Sequence, residues 1–127
     1  MRVSIVTTVD VTGLSRGQSF AALLAATVQL NAAYLRAHPE TPWLYESGVR
    51  YRAEPPEIRE EFACIPIVLA RLWGDCDDLA AWRAAELQVR SGMDARAVIR
   101  QIGPRQWHCV VRDPQGRYED PSKILGM

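Results

Sequence analysis

The chain reads as helices first and an antiparallel sheet last, an order that predicts an α+β domain. Two observations carry the helical part: the apolar run Phe20 to Ala37, and the stretch Cys76 to Arg90, which is dense in good helix formers. A third carries the sheet. Two β-rich segments, Ala95 to Ile102 and Gln106 to Arg112, are followed by the turn signal Asp113-Pro114-Gln115-Gly116 and a returning segment, Arg117 to Asp120.

Element by element, Val3 to Val11 is rich in β-branched residues and reads as a strand stopped near Gly13. Ser15 followed by Gln18 fits a capping box for the first helix. His38-Pro39 ends that helix, because a residue before proline is pushed out of the helical region. His38 itself reads as a cap on the last carbonyls. Glu40 to Pro56 holds three of the eight prolines and the aromatics Trp43, Tyr45 and Tyr51. It reads as an irregular connection with a short extended piece near Val49. That makes it either a wall of a substrate cleft or a loop packed onto the core. Short helices are expected over Glu57 to Phe62 and Ile67 to Leu72. Gly74 then allows a turn, Asp75 is a good N-cap for the helix beginning at Cys76, and Gly92 is its natural stop.

With 127 residues, 48% apolar and 24% charged, the chain has the length and balance of one globular domain spanning 1–127. Basic and acidic residues cancel, 15 against 15, and the basic ones are dispersed and nearly all arginine. A nucleic-acid or anionic-membrane partner needs clustered positive charge, so neither is expected. No segment has the apolar length of a membrane span, and Met1 to Val6 turns polar too quickly for a signal peptide. Cys64, Cys76 and Cys109 form no CxxC pair, which points to a reduced, cytoplasmic protein without a disulfide framework.

The chemistry concentrates at Cys76. At the first position of a helix, unpaired backbone N–H groups and the helix dipole favour a thiolate. The same groups offer donors to an oxyanion, with the Cys76 backbone N–H as first candidate. Asp75, Asp77 and Asp78 push the other way, so a positive partner is needed. His108 is the candidate. A type I turn with Gly116 left-handed in a G1 bulge pairs Asp113 with Arg117 and Val110 with Asp120. His108 and Asp120 then share a face, roughly 7–8 Å apart at Cα. A loop without the bulge puts them on opposite faces. Cys76 therefore reads as nucleophile, His108 as base and acid, and Asp120 as the residue that orients the imidazole.

Trp73, Tyr45 and Trp43 are the candidate substrate-binding residues, with Trp73 and Tyr45 also considered as a second oxyanion donor. Cys64 and Cys109 read as structural, and Trp82 and Trp107 as core. A metal reading of the three aspartates with Cys76 and His108 is set aside. Adjacent carboxylates at a helix start should point apart, and a solvated first turn accounts for them. No metal and no cofactor is expected.

The segment Trp73 to Ser122 resembles the transglutaminase-like cysteine enzyme superfamily, a branch of the papain-like fold. The shared features are Gly74-x-Cys76 with Ala80 four positions on, Gly92-Met93-Asp94-Ala95-Arg96 leading into a strand, and then His108 and Asp120-Pro121. The variant Gly-Asp-Cys-Asp-Asp is similar to small bacteriophage and prophage members, which implies host cytoplasm if phage-encoded. Asp94 stands where that family usually has proline, and Cys109-Val110 where Ala-Trp is common. The resemblance implies a papain-like domain acting on a peptide or protein amide through a thioester. Hydrolysis as a peptidase or amidase is preferred over transglutaminase-type acyl transfer. A non-enzymatic assembly or peptide-binding module is the rival. Asp120-Pro121-Ser122 also reads as the cap of a last short helix, Lys123 to Leu125.

Overall fold

The computed structural model describes residues 12–53, 61–104 and 106–127. The strand expected over Val3 to Val11 lies outside them, as does most of the helix expected over Glu57 to Phe62; Glu61 and Phe62 are not helical. The described residues form a mixed α+β arrangement with four α-helices and a three-stranded antiparallel sheet. No helix among them is long and apolar enough to cross a membrane.

Helix α1, Arg16–Ala37, begins four residues earlier than its apolar run because the capping box sets its start. Ser15 Oγ accepts the Gln18 N–H at 3.1 Å, and Gln18 Oε1 accepts the Ser15 N–H at 2.8 Å. His38 closes the helix through its backbone N–H to Tyr34 O at 2.8 Å. Its ring, expected on carbonyls, instead stacks on Tyr34 and meets Glu40 at 3.1 Å. A 3-10 turn, Leu44–Glu46, and strand β1, Arg50–Tyr51, follow. Helix α2, Ile65–Arg71, leads into strand β2, Trp73–Gly74, which pairs in parallel with β1. Asn31 Oδ1 accepts the Ile65 N–H at 2.9 Å, tying α1 to the start of α2.

Helix α3, Cys76–Ser91, is the centre of the fold. It packs against α1 on one side and the sheet on the other, so Leu79, Ala80, Ala81, Trp82, Ala84 and Ala85 are all buried. Its many alanines allow that double contact, since small side chains let neighbouring elements approach closely. Gly92 ends it in the left-handed region at φ +60°. The sheet runs β3 (Arg96–Gly103), β4 (Gln106–Arg112) and β5 (Tyr118–Glu119), followed by α4 (Pro121–Ile124).

The hairpin between β4 and β5 has the expected register: Val111 pairs with Glu119, Arg112 with Tyr118, and the Asp113 N–H reaches Arg117 O at 2.9 Å. Gly116 takes φ +81°, and Asp113 Oδ1 accepts the N–H groups of Gln115 and Arg117 at 2.9 and 2.8 Å. An aspartate that holds two turn donors specifies this turn over its alternatives.

Candidate active site

Cys76 occupies the first position of α3. Asp75 is its N-cap, accepting the Asp78 N–H at 3.4 Å, while Asp78 Oδ2 accepts the Asp75 N–H at 3.3 Å. Gly74 is required by close approach. A Cβ there would lie 3.1 Å from Leu79 Cδ2 and 3.2 Å from Asp78 Cβ. The tight entry holds the cysteine at the helix start, where the dipole favours its anion.

From the sheet, β4 supplies His108, buried, and the hairpin brings Asp120 to it: His108 Nε2 and Asp120 Oδ2 are 2.8 Å apart. The other oxygen of Asp120 accepts the Lys123 N–H at 3.3 Å and caps α4, so one carboxylate serves both sides. With Nε2 engaged, Nδ1 is the ring nitrogen left for the Cys76 sulfur. The thiol of Cys76 is lowered to about 6. The largest cause is hydrogen bonding from the Cys109 thiol. Burial opposes it, and the Cys109 backbone N–H and His108 reinforce it.

Cys109 is the residue that sequence reasoning placed in the core without a role. It is buried as expected, yet it sits beside the Cys76 sulfur. Its own thiol is pushed up, first by its hydrogen bond to Cys76 and then by burial. Cys64 is also raised by burial, with no part in this cluster. Tyr51, read from the sequence only as one aromatic of a loop that is either cleft wall or core packing, lies near this cluster. Burial raises its phenol first, and the charges of Cys76, Asp75 and Asp120 add to that, which puts its hydroxyl within the field of the cluster.

A cavity of about 210 Å³ opens at the sulfur, lined by Arg16, Phe20, Asp77, Ile99, Trp107 and Cys109 among others. Trp107, expected in the core, is 53% exposed: it shares the face of β4 that carries Cys109 and Val111, but near the open start of the strand, where it forms part of this wall. Trp73, Tyr45 and Trp43 do not line the cavity. Arg71 lies 3.5 Å over the Trp73 ring, and Arg83 and Arg90 lie 6.0 and 5.2 Å from Trp43. The Tyr45 hydroxyl donates to Glu119, which also accepts from Arg83 Nε at 2.7 Å. Arg83 in turn holds Glu86, itself 0% exposed, at 2.8 Å. This network anchors β5 to α3 one residue before Asp120, so Tyr45 acts on the position of the hairpin.

The aspartates are not solvated. Asp75, Asp77 and Asp78 are 8%, 1% and 0% exposed, and their oxygens lie within 4.8 Å of one another rather than pointing apart. Packing of α3 between α1, α2 and the sheet encloses the helix start that the isolated pattern would leave in water. Burial pushes Asp77 up to about 7, against a hydrogen bond with Asp75. Burial and the Asp75 charge push Asp78 up to about 8. Asp78 is nevertheless committed to Arg71 at 2.9 Å and to the Ala63 N–H at 2.7 Å. Each oxygen of Asp78 therefore already accepts a donor of the fold.

No family model matches the chain, and no curated protein and no solved structure matches it either.

Proposed function

We propose that this chain performs thiol-dependent acyl chemistry on a peptide or protein amide. The observation that carries the reading is the 2.8 Å His108–Asp120 contact on the strand that packs against the helix begun by Cys76; the lowered thiol of Cys76 agrees with it. The Cys76 sulfur attacks the amide carbon, and the carbonyl oxygen takes on negative charge near the backbone N–H of Cys76. His108 gives its proton to the departing amine, and a thioester is left on the sulfur. Asp120 orients the imidazole and stabilises its charged form without taking the proton. Water, activated by His108, then releases the acid.

The likeness of Gly74-x-Cys76, His108 and Asp120-Pro121 to transglutaminase-like enzymes supports the same chemistry, with a papain-like fold as its structural counterpart. A peptidase or amidase is the outcome we favour over capture by an amine. Three free thiols suit the reducing cytoplasm.

Incubating the reduced protein with peptide amides and activated acyl esters, then reading intact mass, tests this proposal. An acyl adduct on Cys76 that decays in water, and is absent from Cys76→Ala and His108→Ala, is expected. An amine added in excess distinguishes hydrolysis from transfer by the product formed. Absence of any adduct from every acyl donor, with Cys76 present as free thiol, would overturn the reading.

A further inference from the structure

Acyl transfer needs one thiol, and this cavity holds two. Cys76 and Cys109 are both free, both line the same space, and Cys76 packs directly against the core that contains Cys109. Cys76 is carried by the first residue of α3 and Cys109 by the middle of β4, two elements held together by extensive packing. Cys64 is absent from the cavity lining. A buried structural cysteine needs no contact with a nucleophile and no share of a solvent-reachable wall.

We infer that Cys76 and Cys109 form a reversible redox site, in which a hydroperoxide oxidises the Cys76 sulfur and Cys109 resolves it as a disulfide. The Cys76 thiolate attacks the terminal peroxide oxygen and the O–O bond breaks. The departing oxygen takes a proton and leaves as water or an alcohol, and Cys76 becomes a sulfenic acid. The Cys109 sulfur then attacks that of Cys76. Its thiol proton and the sulfenic hydroxyl leave together as water, and the S–S bond forms. The two sulfurs together lose two electrons and the peroxide gains them. A dithiol reductant returns the Cys76–Cys109 disulfide to two thiols by exchange and is itself oxidised to a disulfide.

The geometry suits each step. The cavity admits a small peroxide, the ionised sulfur is the one at the helix start, and the raised Cys109 thiol stays protonated until it is called on to attack. The disulfide would take the nucleophile out of use and shield it from irreversible oxidation. That consequence rests on the acyl chemistry proposed above, whereas disulfide formation itself does not.

The reduced full chain is treated with hydrogen peroxide at neutral pH, quenched with acid, alkylated and mapped by mass spectrometry. A Cys76–Cys109 cross-link within one chain is expected, with complete loss of Cys76 alkylation and its return after dithiothreitol. In Cys109→Ser and Cys109→Ala, Cys76 should run on to sulfinic acid at least about tenfold faster than in the unaltered chain. A Cys76 that reaches sulfinic acid without a cross-link would overturn the inference, as would pairing with Cys64 or with a second copy. The unaltered chain alone gives these readings, so a variant that fails to fold leaves the test intact. Acyl-donor labelling of the same reduced sample separates the two claims: acylation without a cross-link defeats only the redox site, and a cross-link without acylation defeats only the acyl chemistry.

Discussion

Replacing Asp120 by asparagine separates the two tasks of its carboxylate. The oxygen at 3.3 Å from the Lys123 N–H caps α4, and the oxygen at 2.8 Å from Nε2 holds His108. Asparagine keeps one acceptor for the helix and turns an NH₂ toward the ring. That donor favours the tautomer with its proton on Nδ1 and disfavours the imidazolium. Both side chains are mostly buried, at 11% and 22% exposed, so solvent does not screen the loss away. A hydrogen bond to a charged group contributes about 1.5–3 kcal/mol, which corresponds to about one to two pH units on the ionisation of the thiol that depends on the pair. The alkylation midpoint of Cys76 should therefore rise from about 6 by that amount. Folding stability should fall by less than about 1 kcal/mol, whereas Asp120→Ala adds the loss of the cap, about 1 kcal/mol. The assay is iodoacetamide labelling of Cys76 across pH, beside urea denaturation of each variant. Rate at a single pH understates the change, since a thiolate of higher pKa is the better nucleophile, and the midpoint is the quantity to read. An unmoved midpoint in Asp120→Asn would refute the assignment of Asp120 as the orienting residue and leave it as a helix cap alone.

Asp77→Asn should stabilise the protein at neutral pH. The folded carboxyl is raised to about 7, so its protonated form is favoured in the fold. Below the unfolded value near 4 the variant should equal the original. Its advantage should grow up to about pH 7 and then level off at about 2–4 kcal/mol, read by denaturation at a series of pH values. Gly74→Ala places a methyl against Leu79 and Asp78 and should cost about 1–3 kcal/mol in thermal unfolding. Arg83→Leu strands the fully buried Glu86 and should cost about 3 kcal/mol, with part recovered in Arg83→Leu/Glu86→Gln. Because Arg83 also holds Glu119, the same variant should slow Cys76 labelling.

The parts of the site that were legible in the sequence are those governed by local rules. The Asp-Pro-Gln-Gly turn specifies a bulged hairpin, the bulge specifies the register, and the register puts His108 and Asp120 on one face. Asp75 and Gly92 bracket α3 for equally local reasons. The burial of Asp75, Asp77 and Asp78 was not legible, because enclosure of a helix start depends on α1, α2 and the sheet arriving from elsewhere in the chain. Arg16 and Phe20 reach the cavity for the same reason. The aromatic loop misled through composition: Trp43 and Tyr45 resemble cleft residues, but the arginines of α3 hold them away from the sulfur. Cys109 offered a signal that went unread. By strand alternation it shares the face of β4 that carries Val111, the face on which α3 packs and from which Cys76 arrives.

The most direct test of Cys76 as the ionised nucleophile is the pH dependence of alkylation at all three cysteines of the unaltered chain, resolved by peptide mapping. Cys76 should label with a midpoint about 6, while Cys64 and Cys109, both raised, stay unreactive through neutral pH. Labelling of Cys76 no faster than Cys64 at neutral pH would contradict the account.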